Sequence, residues 1–110
     1  MWIFGKNGVL SIVRHRTKRG YLMIRAITRA DITNHWPDAK ITCTPAGDYR
    51  YRTTLPDARV IERIAKAIAA IDYDKVKPAI LDKSKSDLHM SVFFSMMDYQ
   101  DTACAALRRG

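Results

Sequence analysis

The sequence predicts an α+β fold with two layers: a mostly antiparallel sheet with a ferredoxin-like βαββα centre, preceded by an N-terminal hairpin and followed by a C-terminal helix. Three observations predict it. An Asn-Gly turn separates two short apolar runs near the start. Period-two patterns occupy residues 21–28 and 49–55. Apolar residues then recur every three or four positions over 57–71.

The elements follow in order. Gly5-Lys6-Asn7-Gly8 punctuates the apolar segments 2–4 and 9–15, which reads as a β-hairpin because Asn and Gly tolerate positive φ. Arg14-His15-Arg16-Thr17-Lys18-Arg19-Gly20 is a basic loop ending in a turn glycine. In the strand 21–28, Leu22, Ile24 and Ala26 share one face and Tyr21, Met23, Arg25 and Ile27 the other. Residues 30–36 form a short helix stopped by Pro37, since a residue before proline is pushed out of the helical region. Residues 40–44 form a short strand, and Pro45-Ala46-Gly47-Asp48 a turn. Alternation through 49–55 then places Tyr49, Tyr51, Thr53 and Leu55 on one face and Arg50, Arg52 and Thr54 on the other.

Asp57 is the expected N-cap or a favourable first-turn acid of the next helix, whose apolar stripe is Val60, Ile61, Ile64, Ile68 and Ile71. Pro78 disfavours a regular helix through 72–81. Ser86 is a suitable cap for a last helix reaching about residue 107. Its broadly apolar first half calls for burial in the domain or against a second subunit, with Phe93, Phe94, Met96 and Met97 as a homodimer seam.

Composition narrows the function. With 110 residues the chain fits one domain, 1–110. Mean hydropathy is -0.24, and no apolar run approaches the length of a membrane span. The opening Met1-Trp2-Ile3-Phe4 is too short and too soon interrupted for a secretory signal, and two cysteines, Cys43 and Cys104, make no disulfide framework. A cytoplasmic protein with reduced thiols is the expectation. The net charge of +8 is concentrated in residues 1–55, which hold ten Lys/Arg against three Asp. Such asymmetry suggests a positive face aimed at an anionic partner.

The chain resembles a family of small uncharacterised proteins of bacterial genomes and mobile elements. The likeness rests on Trp2-Ile3-Phe4, Gly8-Val9-Leu10-Ser11-Ile12-Val13, Ile24-Arg25-Ala26, Asp48-Tyr49-Arg50-Tyr51-Arg52, and Ile71-Asp72-Tyr73 with Lys77. The segment Leu88-His89-Met90-Ser91-Val92-Phe93 departs from the family's Tyr-containing helix. The resemblance implies a compact single domain and no agreed activity.

The chemistry-bearing residues point to binding more than to reaction. The three histidines and two cysteines lack any metal-ligand spacing, Gly5-Lys6-Asn7-Gly8 lacks the phosphate-loop pattern, and no cofactor or metal is expected. Asp72 and Asp74, with Lys75 and Lys77, would suit a small metal-dependent nuclease. The leading expectation is a non-catalytic basic binding or regulatory protein contacting nucleic acid through Arg14, Arg16, Lys18, Arg19, Arg25, Arg50 and Arg52. The rival is a protein-directed module or inhibitor that meets an acidic protein surface with the same arginines.

Overall fold

The computed structural model describes residues 1–71 and 83–109 and shows an α+β arrangement of five strands and three helices among them. The strands are β1 (Trp2–Gly5), β2 (Gly8–Arg14), β3 (Tyr21–Ala26), β4 (Thr42–Cys43) and β5 (Tyr51–Pro56). The helices are α1 (Arg29–Thr33), α2 (Asp57–Ala69) and α3 (Lys83–Arg109). Every neighbouring strand pair is antiparallel, in the order β1-β2-β3-β5-β4.

β5 thus lies between β3 and β4. The sheet as a whole does not have the ferredoxin order, because the strand beside β3 is β2 of the N-terminal hairpin. The aspartate–lysine cluster expected around Asp72 and Asp74 lies outside the described residues.

Alternation decides which side is buried. Registers Ile12↔Ile24↔Thr53 and Leu22↔Leu55 put these residues on one face, which also carries Leu10 and Ala26. Leu10, Ile12, Ile24, Ala26 and Leu55 are buried there together with Ile32, Trp36 and Val60 from the helical layer. Burying each large side chain of this set contributes roughly 1.5–3 kcal/mol. Thr53 joins the core without an orphaned hydroxyl, since its Oγ1 donates to the Lys40 carbonyl at 2.9 Å.

Helix α1 is short, so its ends matter. Thr28 Oγ1 accepts the Asp31 amide as N-cap, and Asn34 and Trp36 amides close the other end on Ala30 and Ile32 carbonyls. The turn before Pro37 therefore delivers Trp36 to the core beside Ile32.

Of the two places open to Asp57, the structure shows the first turn: α2 has Pro56 as N-cap, with no side-chain cap, and Asp57 receives Arg14. The stripe of α2 is covered only at its start. Val60 is buried and Ile64 half-buried, while Ile68 and Ile71 stay exposed, because the second half of α2 stands off the β1–β2 hairpin across an open cleft; Ile61, about 100° round the helix from Val60, is exposed as well.

Gly8 fixes the junction of hairpin and helix. Its φ is +106°, and a Cβ there would run into the carboxylate of buried Asp31. Neither Lys6 nor Asn7 takes a positive φ, so Gly8 alone supplies it at this turn. Gly8→Ala is expected to cost about 2 kcal/mol or more in a urea titration, and Gly8→Ala/Asp31→Ala to recover only part, because the backbone strain remains.

His35 accepts a hydrogen bond at Nδ1 from Arg63 Nε at 3.1 Å. Burial, reinforced by the Arg63 charge and opposed by Asp31, holds its pKa below the ordinary 6.5. The unfolded chain then binds the extra proton first. His35 therefore favours folding fully above about pH 6.5, and this contribution is lost as pH falls through the lowered value. His35→Gln is expected to flatten the fall in urea midpoint between about pH 7 and pH 5.

Candidate functional site

α1 and α2 lie on the Leu10–Ile24 side, and alternation places a distinct set of residues on the second face, where Ser11 is buried and Phe4, opposite Val9, meets His89 of α3. One row crosses all five strands: Trp2↔Ser11↔Arg25↔Arg52↔Thr42. The next row on this face is Val13↔Met23↔Thr54. Tyr21, paired with Pro56, follows at the end of β3.

Arg25 and Arg52 are directly opposite one another on the two central strands. Like charges in that position repel and destabilise a sheet. The surroundings hold them in place. Arg25 Nη2 donates to Ser11 Oγ at 2.8 Å, and its guanidinium lies 4.6 Å from the centre of the Tyr49 ring. Arg52 donates to the Asp48 carboxylate at 3.0 Å and to the Tyr49 carbonyl at 3.4 Å. Asp48 also accepts the Tyr49 amide, which fixes the bend that carries the ring. Asp48 pairs with Arg52 and not with Arg25, so the row keeps a positive surplus. Arg25 Nε makes no hydrogen bond among the described residues.

The sequence pattern assigned Tyr49 to the face opposite the arginines, and the structure corrects this. Regular pairing begins only at Tyr51, and residues 47–50 form bends, so alternation does not extend back to Tyr49. Its ring reaches Arg25 on the open face, whereas Tyr51 packs against the core.

A second cation–aromatic pair lies toward the other end of the same face. Lys18 Nζ sits 3.9 Å above the centre of the Tyr21 ring. Tyr21 and Arg25 are four residues apart on β3, a spacing of about 13 Å. Trp2, at the β1 edge, leaves 75% of its surface exposed. The face thus alternates rings with cations from Trp2 through Arg25 and Tyr49 to Lys18 and Tyr21. Sequence reasoning missed Trp2 and Tyr21 as candidates. Period two had already placed Tyr21 beside Arg25, and that was the available signal.

The remaining expected residues are not brought together. Arg14 lies at the helical layer, where its Nη1 meets both Asp57 oxygens at 2.6 Å. Arg16 and Arg19 are exposed in the β2–β3 loop, and Arg50 in the bend before β5. Phe93, Phe94 and Met96 are exposed on α3, and Met97 is half-buried. Among the described residues no three His, Cys, Asp or Glu side chains converge as a metal site would require, and no helix is long and apolar enough to cross a membrane.

No family model, curated protein or solved structure matches the chain.

The Arg14–Asp57 pair separates a structural arginine from the exposed set. Arg14→Ala is expected to lower stability by no more than about 1 kcal/mol in thermal unfolding, because the pair is substantially exposed and screened.

Proposed function

We propose that the open sheet face binds single-stranded nucleic acid. The observation that carries this reading is the row in which Arg25 and Arg52 stand side by side on the central strands, with Tyr49 against Arg25 and Trp2 in register at the edge. Guanidinium groups bind phosphate oxygens with paired hydrogen bonds, and flat rings stack on bases of any sequence. An open antiparallel face offers both within one surface, and unpaired strands splay their bases where such a surface can reach them. Lys18 of the exposed β2–β3 loop, over the Tyr21 ring, adds a further cation to this face.

The net charge of +8 supports the same reading, since it draws a polyanion from a distance.

Anisotropy of a labelled single-stranded oligonucleotide tests it. Arg25→Gln and Arg52→Gln are each expected to weaken binding at least about tenfold and to reduce the salt slope by about 0.7 for each phosphate that is no longer neutralised. Tyr49→Ala is expected to weaken binding about five- to a hundredfold by removing a stacking ring. Lys66→Gln, on the helical layer and paired with Glu62, is expected to leave affinity within about twofold. Absence of binding at low salt overturns the reading. So does retained affinity in both arginine variants, and binding of an acidic protein in place of the oligonucleotide would then take its place.

A further inference from the structure

α3 runs for 27 residues, about 40 Å of helix. It meets the sheet at His89, whose ring lies 4.0 Å from that of Phe4 and whose Nε2 is 2.7 Å from the Gly5 carbonyl oxygen. Beyond that anchor its large apolar residues face outward. Phe93, Phe94, Met96 and Tyr99 are 49%, 59%, 58% and 76% exposed. At 100° per residue, Leu88, Val92, Phe93, Met96, Met97 and Tyr99 span about half the circumference of the helix, and Asp87, Ser91, Ser95, Asp98 and Thr102 line the rest.

The domain also has an open apolar cleft. It measures about 670 Å³ and lies between the β1–β2 hairpin and the second half of α2, lined by Ile3, Phe4, Ile64, Ala67, Ile68 and Ile71, with Lys6 and Arg63 among its polar walls. Ile68 and Ile71 remain 63% and 67% exposed beside it. Among the described residues, therefore, the apolar side of α3 has no groove around it and the apolar cleft has no helix in it.

We propose that the two belong together across a symmetric pair: α3 of one copy lies in the cleft of a second copy, and the exchange is reciprocal. Three observations select this occupant. First, His89 pins α3 to the β1 edge, so its far part leaves its own domain. The radius of gyration is 16.4 Å, against about 13 Å for a compact chain of this length. Second, the chain exposes 8335 Å², against about 6,200 Å² for a compact monomer of its mass. That surplus, on the order of 2,000 Å², exceeds the roughly 800 Å² per partner of a standard stable interface. Third, the charges match. Residues 87–106 hold three Asp and no Lys or Arg, whereas residues 1–71 hold thirteen Lys/Arg against five Asp/Glu. Asp98 and Asp101 would thus enter a basic domain near Lys6 and Arg63. A twofold arrangement covers both surfaces at once and leaves no open end for further growth.

Sedimentation velocity of the full chain between about 1 and 100 μM reads the outcome, a Kd in the micromolar range or below being expected. The wild-type protein should sediment with twice its 12.6 kDa. Phe93→Asp/Met96→Asp on the helix and Ile68→Asp in the cleft should each weaken dimerisation at least about a hundredfold, roughly 2.7 kcal/mol. All three positions are exposed in the single chain, so neither variant disturbs the core, and far-UV circular dichroism checks this. A monomer at the highest concentration overturns the proposal, which would place α3 back in its own cleft. Loss of the dimer in the helix variant with retention in Ile68→Asp also overturns it, in favour of α3 pairing with α3.

Discussion

One-sided burial is the constraint on which the rest of the molecule depends. The rows Ile12–Ile24–Thr53 and Leu22–Leu55 align small and branched side chains on a single face of β2, β3 and β5, and α1, Trp36 and the start of α2 close over them. A period of two leaves no choice for the intervening residues, which must all face the other way. Once the helices take the Leu10–Ile24 side, Ser11, Val13, Met23, Arg25, Arg52 and Thr54 are committed to the opposite surface. The side on which Arg25 and Arg52 stand is thus a consequence of where the core lies.

That surface has a cost that points to its use. Two guanidinium groups side by side on central strands are an unfavourable choice for a sheet judged by stability alone. Ser11, Tyr49 and Asp48 offset the repulsion without cancelling the charge: a hydroxyl and a ring are neutral, and Asp48 is exposed and engages Arg52 alone. An anionic ligand lying between the two would relieve the repulsion and add charge-assisted hydrogen bonds in the same step. Local rules broken at one place, in a sheet that otherwise obeys them, are characteristic of functional surfaces.

Much of this was legible in the residues before any coordinates. Alternation in 21–26 separates Ile24 from Arg25 correctly, and the Gly5–Gly8 turn and the long helix from Asp57 stand where the pattern puts them, whereas the short helix ends at Thr33, before the Trp36 end that Pro37 suggests. Tyr49 was misassigned because alternation was carried through a bend, and bends depend on contacts such as the Asp48–Tyr49 hydrogen bond that period-two reasoning does not see. Arg14 was grouped with the loop, yet its partner Asp57 lies 43 positions away and only the fold makes them neighbours. The α2 stripe read as uniformly buried, since a helical pattern records which face is apolar and not how far the opposing layer extends. The α+β class was accessible from pattern. The strand order was not, because a two-residue edge strand such as β4 carries almost no signal of its own.

The two proposed surfaces are compatible because they use opposite layers. The cleft opens on the side of α2 and His35, while the arginine row lies on the open face of the same sheet. Filling the cleft with a partner helix therefore consumes none of the residues that would meet a nucleic acid. A symmetric pair would carry two such faces on one rigid body, and a strand long enough to reach both would bind the second at an effective concentration far above its bulk value. Short strands, which reach only one face, would gain nothing from the pairing. A difference between short and long strands that disappears in the monomeric helix variant is thus the one property that neither surface could produce alone.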